Sequence, residues 1–319
     1  MDLKTDMQTA SATARTPLST RYRIEIANKM AIEPVFAVLD GAHFDDLQND
    51  LLERSVPARS LFLPGGDPQW RREGPWLVAL INQQICDHII DLAFEKPCAV
   101  FWSCPAGETA LYRHLRTINR VLVPDDRIEN NDGETGEKVV YERVLFRHWD
   151  PNVLASVLQS FTKAQFARFL GPASMVLMNA PLYGGLKRLT YSSTFPPAPN
   201  GPLKITPTEI AATNEFMAEA ATIRICNYLR NVAPSQTAGM NDAELSAATD
   251  GYIREGRRYG VQSEAALARW SYLQLVTSGK LMTNPDVCKV VMAKDPTVSV
   301  DQRVQLLLQA SLKYATENR

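Results

Sequence analysis

The sequence predicts an α/β domain, a mixed sheet with flanking helices, followed by an all-helical domain. Three observations lead there. From Glu33 to about Thr194, short apolar runs alternate with amphipathic segments of helical spacing. The stretch "STFPPAPNGPLKITP", with five prolines, then breaks the pattern and reads as a stiff linker. Beyond it helix starts recur and no strand signal intervenes. The expected organisation is an N-terminal tail, partly disordered, over 1–30, an α/β domain over 31–193, the linker over 194–205 and a helical bundle over 206–319.

Within the first domain, "PVFAVLDG" is an unbroken apolar run closed by Asp40-Gly41, as in a strand buried on both faces. "HFDDLQNDLLERS" places Phe44, Leu47, Leu51 and Leu52 at helical spacing. "RSLFLPGG" reads as a strand stopped by Pro64, Gly65 and Gly66. "PWLVALI" follows as another strand, then a helix carries Ile85, Ile89 and Leu92 on one face. "CAVFWSC" is a further strand, and Glu108 opens a helix with Leu111, Leu115, Ile118 and Leu122 as its apolar stripe. "RVLV" and "KVVYERVLFRHW" flank "PDDRIENNDGETGE", whose Asn-Asp-Gly and Thr-Gly turn chemistry makes them a hairpin and the sheet mixed. Two short helices, "PNVLASVLQSF" and "KAQFARFL", end at Gly171-Pro172, and "ASMVLM" returns to the sheet.

The helical half announces its starts. Thr206-Pro207-Thr208-Glu209 combines a capping box with proline at the first helical position. Asn241 with Glu244, Ser263, Asn284-Pro285, and Ser299 with Gln302 mark four more starts, and Gly260 and Gly279 are stops. About five helices are expected, without a fixed repeat.

Composition narrows the function classes. The 319 residues are 45% apolar and 22% charged, as in a folded globular protein. A formal charge of −1 gives bulk electrostatics no hold on nucleic acid or an anionic membrane. No run of roughly 18 or more apolar residues provides a membrane span. The opening "MDLKTDMQTASATARTPLSTRY" lacks an apolar core and reads as a mobile tail, not a secretory signal. Five cysteines without a Cys-x-x-Cys pair fit reduced thiols in the cytoplasm. Cys98 and Cys104, six apart on one strand, are expected to share a face as buried thiols.

The familiar chemical motifs are missing. The four histidines, His43, His88, His114 and His148, form no His-x-x-x-His pair with metal-ligand spacing. No glycine-rich phosphate cradle and no Gly-x-Ser-x-Gly elbow occurs. The expectation is a protein that is not an enzyme, with no cofactor and no metal. The rival is a cytoplasmic hydrolase or transferase using Cys104 as nucleophile, His114 or His148 as base and Asp150 as orienter. A scaffold of some other complex is the third reading.

The segment "VLFRHWDPNVL" sets charge inside an apolar context. Alternation puts Val144, Phe146 and His148 on one face and Leu145, Arg147 and Trp149 on the other. Asp150-Pro151 is a helix start, with the carboxylate accepting from first-turn N–H groups. Arg147, if buried, needs a partner, and a carboxylate such as Asp40 or carbonyls at a sheet end would serve. Asp40 itself is either a ligand group at a strand end or the turn signal before a helix. The cluster Asp40, Arg147, Trp149 and Asp150 is thus read as a structural corner, with an anion site as the alternative.

"AVLDGA", "SLF", "GPWLV", "LYRHLR", "VLFRHWDPNVL" and "FLGP" follow one another in an order that resembles the effector adaptor chaperones of bacterial type VI secretion. That resemblance spans about Glu33 to Met178. Their Arg-aromatic-aromatic-Asp-Pro corner is matched here with His148 in the first aromatic place. The resemblance implies a cytoplasmic, non-enzymatic protein. It would bind a cognate secreted effector, keep it soluble and help load it onto the spike-tip protein (the valine-glycine repeat protein G).

Partner contact is expected where arginine and aromatic residues meet in loops. "PQWRREGPW" presents Trp70, Arg71 and Arg72, and "APLYGGLKR" offers Tyr183, Lys187 and Arg188 near the linker. The plainer alternative packs Trp70 on its own sheet and leaves the cations solvated.

Overall fold

The run Val35–Asp40 forms strand β1, buried at every residue. The computed structural model describes residues 17–63, 65, 67–133, 138–295 and 297–317, and the chain divides into two units, Met1–Asn214 and Glu215–Arg319. After β1 the first unit contains β2 (Ala58–Ser60), β3 (Pro75–Ala79), β4 (Ala99–Ser103), the ribbon β5 (Arg120–Pro124) and β6 (Tyr141–Leu145), then β7 (Met175–Ala180) and β8 (Gly185–Thr190). Six of these make one sheet in the order β2-β3-β1-β4-β7-β8, and β5-β6 pair separately.

The α/β class holds, but the sheet is antiparallel at every pairing rather than mixed. The physical reason lies in the crossovers. β1 and β2 run the same way with β3 between them, and β3 and β4 run the same way with β1 between them. Each helical crossover therefore skips one position, which an antiparallel strand fills. These are interleaved split β-α-β units. The expected hairpin forms, as β5-β6, but outside the main sheet.

Strand side chains alternate between two cores. Phe36, Val38, Leu77, Val100, Trp102, Val176 and Met178 face one. Ala37, Leu39, Trp76, Val78, Phe101 and Leu177 face the other. The second core is closed by α1 (Leu18–Met30), α2 (Leu47–Glu53) and α4 (Gln83–Glu95) through Tyr22, Ile26, Leu47, Leu51, Ile85 and Ile89. The first is closed by α5 (Gly107–Ile118), α6 (Pro151–Leu158), α7 (Lys163–Leu170) and the ribbon. A short α3 (Pro68–Glu73) lies between β2 and β3.

Several local readings change. Residues 18–30, assigned to the tail, are helix α1, whose Tyr22 and Ile26 sit one turn apart and fully buried; residues 1–16 lie outside the described residues. Helix α5 stops at Ile118, so Leu122 belongs to β5. Cys98 precedes β4 and falls off its alternation, which puts Cys98 and Cys104 in opposite cores. The segment with Trp70 is helix α3, not a loop, because Asp67 accepts from the Gln69 N–H and Pro68 occupies the first turn. Strand β8 was not foreseen. Pro64, Gly66 and the Thr135-Gly136 turn lie outside the described residues.

The proline-rich segment is fastened to the first unit. Leu122 donates its N–H to the Leu203 carbonyl at 2.9 Å and accepts from Ile205 at 2.8 Å. Leu203 and Ile205 are buried.

The second unit is helical: α8 (Pro207–Val232), which begins in the first unit, then α9 (Pro234–Thr237), α10 (Asp242–Arg258), α11 (Glu264–Val276), α12 (Pro285–Val291) and α13 (Val300–Glu317). The expected starts are in place. Thr206 and Glu209, Asn241 and Glu244, and Ser299 and Gln302 exchange capping hydrogen bonds, while Ser263 and Asn284 cap α11 and α12. Gly260 and Gly279 have φ of +88° and +77°, as helix stops require. Trp270 is fully buried among Leu267, Leu245, Leu229 and Ile225. Among the described residues no helix is long and apolar enough to cross a membrane.

Candidate functional site

At the end of β1, Asp40 is 1% exposed and takes a hydrogen bond from Arg147 Nη2 at 2.7 Å. Its other oxygen accepts from the Ala42 N–H at 3.2 Å. Arg147 also lies 3.4 Å from Asp150, whose carboxylate caps α6 by accepting from Asn152 and Val153. Of the partners the sequence left open for Arg147, a carboxylate such as Asp40 or carbonyls at a sheet end, the structure has the Asp40 carboxylate, and the cluster ties β1 to the β6–α6 corner. Strand alternation holds through His148 and breaks at Trp149, which is buried because the chain turns: Asp150 donates its N–H to the Arg147 carbonyl.

His148 is fully buried, with the rings of Trp102, Phe146 and Trp149 around it. Asn119 uses its amide N–H on the Leu61 carbonyl, so its Oδ1 faces His148 and accepts from Nε2 at 2.9 Å. Burial, with the neighbouring His114 adding to it, holds the imidazole down to about 3. It is neutral and fills the aromatic place it occupies.

The Cys104 triad is not assembled. Cys104 Sγ points to the Pro172 carbonyl, His114 Nε2 lies 2.7 Å from the Phe169 carbonyl, His148 meets Asn119, and Asp150 caps a helix. Burial pushes the Cys104 thiol up, away from the reactive thiolate. Cys98 is pushed up to about 12 and Cys86 to about 11, in both cases chiefly by burial. Among the described residues, the group of carboxylates close enough to share an ion is Asp125, Asp126 and Glu142. Arg127 already pairs with Asp125 and Glu142 there.

The corner supports a cleft. Gly41 donates to the Gly74 carbonyl at 3.0 Å, and a side chain at Gly41 would sit 2.1 Å from the Arg72 carbonyl. Only glycine lets β1 end so close to α3. Phe62 packs edge-on against Trp149, 5.7 Å between centroids. α3 and the residues after β2 are thereby held as walls of a cavity of about 1220 Å³.

Six arginines line this cleft: Arg71 and Arg72 from α3, Arg116 from α5, Arg120 from β5, Arg143 from β6 and Arg168 from α7. Among the described residues none of them forms an ion pair, whereas Arg23, Arg59, Arg127, Arg147 and Arg188 of the same unit each meet a carboxylate. Trp70, Leu63 and Leu145 also line it and are 69%, 63% and 51% exposed. Two aspartates, Asp46 and Asp67, complete the charged lining and are engaged as helix caps.

Of the residues singled out in the sequence, Trp70, Arg71 and Arg72 fall in this cleft. Tyr183, Lys187 and Arg188 do not line it. Tyr183 ends a short turn after β7, while Lys187 and Arg188 stand on β8. Arg188 pairs with Glu25 at 3.4 Å, and burial lowers the Lys187 ammonium. Arg116, Arg120, Arg143 and Arg168 escaped sequence reasoning because each comes from a different element.

Residues 35–168 match a family model. Its description is a domain of unknown function, DUF4123. The match begins at β1 and ends within α7, so it contains the corner and all six cleft arginines but not β8 or the helical unit. No curated protein and no solved structure matches the chain.

Proposed function

We propose that this chain is a cytoplasmic effector adaptor of a type VI secretion system, a binding protein without catalysis. It holds a cognate secreted effector in soluble form and helps load it onto the spike-tip protein. The observation that carries the binding role is the cleft: arginines that form no ion pair among the described residues, lining it together with exposed Trp70, Leu63 and Leu145, the composition of a protein-binding surface. The secretion context rests on the sequence resemblance around the Arg147–Asp150 corner. The non-catalytic part is supported by the separate engagement of Cys104, His114, His148 and Asp150, and by a protonated Cys104.

Affinity capture with the full chain from the encoding bacterium, with secretion genes expressed, tests this reading. Recovery of a toxin-like protein together with a spike-tip protein is expected, and Cys104→Ser recovers both equally. Capture of neither, or a turnover that Cys104→Ser abolishes in folded protein, would overturn it.

A further inference from the structure

The cleft carries more information than its existence. Its guanidiniums arrive from α3, α5, α7 and both ribbon strands, so convergence on one depression is a property of the fold rather than of a local basic run. Against the six arginines stand two capping aspartates, in a chain whose formal charge is −1. Like charges lining one cleft disfavour one another, and an anionic occupant relieves that repulsion. Guanidinium forks match carboxylates with paired hydrogen bonds. Arg168 is already oriented, donating from Nε to the Gly201 carbonyl at 2.9 Å and from Nη2 to Thr117 Oγ1 at 3.1 Å.

Size and lining select among anions. About 1220 Å³ exceeds the ~300–1,000 Å³ usual for small-molecule sites. The exposed side chains of Leu63, Leu145 and Trp70 in the same lining call for apolar groups on the occupant. Nucleic acid would prefer a row of stacking rings along a basic track. This cleft offers one exposed indole, a half-buried Phe62 ring already packed edge-on against Trp149, the exposed side chains of Leu63 and Leu145, and a pair of acids.

We propose that the cleft receives an acidic segment of a protein partner, with Asp and Glu side chains on the arginines and a large apolar residue against Trp70, Leu63 and Leu145. This rests on the adaptor reading above and adds the chemistry of what is recognised.

The test uses the full chain and a dye-labelled peptide rich in Glu and Asp around a central Leu-Phe pair, followed by anisotropy. A peptide with every acid replaced by Gln or Asn, and a single-stranded oligothymidylate, are the controls. The acidic peptide should bind, weaken as salt rises, and lose about tenfold or more in affinity with Arg120→Glu/Arg143→Glu. Arg71→Glu/Arg72→Glu, on a different element, should act alike, with circular dichroism confirming that both variants fold. Equal binding of the uncharged peptide, tighter binding of the oligonucleotide, or unchanged affinity in both folded variants would overturn the proposal. Affinity capture separates the two claims. If wild type and both variants recover the same effector equally, the acidic-segment site falls while the adaptor reading stands; if wild type recovers no partner, the adaptor reading falls and takes this proposal with it.

Discussion

Arg143 and Arg147 lie four residues apart, and the protein uses them in opposite ways. Arg147 reaches a carboxylate that is 1% exposed and also lies 3.4 Å from Asp150, the cap of α6. Arg143 opens into a cleft where, among the described residues, it meets no carboxylate. The first guanidinium neutralises a buried charge and so belongs to the fold. The second adds to a crowd of like charges and contributes nothing of that kind. Fold and the proposed binding role should thus be separable by mutation, although both involve arginine.

The largest effect should come from Arg147→Ala. It leaves the buried Asp40 carboxylate with the Ala42 N–H and, 3.9 Å away, the His43 ring, at a cost of about 3 kcal/mol in urea denaturation. Asp40→Ala should cost less, because the Arg147 side chain is 44% exposed and water can take it up. Equal losses would mean that burial of Asp40 is not what the pair compensates.

Next comes acid. The His148 imidazole is held down to about 3 in the folded chain, against an ordinary 6.5 once unfolded. Between these values the unfolded chain binds the proton and the folded one does not, so stability falls as pH drops below 6.5. At pH 5 this amounts to about 2 kcal/mol. His148→Gln removes that share, so the variant should lose less stability than wild type between pH 7 and pH 5. Identical pH slopes would show that His148 is not buried as a neutral ring. A smaller effect is expected from Asp150→Ala, about 1 kcal/mol for a lost helix cap.

The corner was legible in the sequence because its signals are local or nearly so. Asp150-Pro151 is a cap by adjacency, and an arginine buried at the end of an apolar strand needs a partner, for which a carboxylate such as Asp40 or sheet-end carbonyls would serve. The helical unit was legible for the same reason: Thr206, Asn241, Ser263, Asn284 and Ser299 each bond within three residues of themselves. Strand direction was not. Burial of β1 on both faces reports helices on each side, and an antiparallel sheet covered twice gives the same pattern as a parallel one. Helix α1 hid because two buried positions, Tyr22 and Ile26, make a short stripe in a polar stretch. Two of the six cleft arginines, Arg71 and Arg72, were visible together with Trp70. The rest depends on how α5, α7 and the ribbon converge, which no local pattern encodes.

The smallest stability effect tests the central claim most directly: that Arg120 and Arg143 of the cleft serve an occupant and not the fold. Urea denaturation of Arg120→Glu/Arg143→Glu at low ionic strength should give a stability within about 0.5 kcal/mol of wild type, or above it, since removing like charges relieves repulsion. A loss as large as that of Arg147→Ala would contradict the account, because it would place these arginines among the groups that hold the fold together.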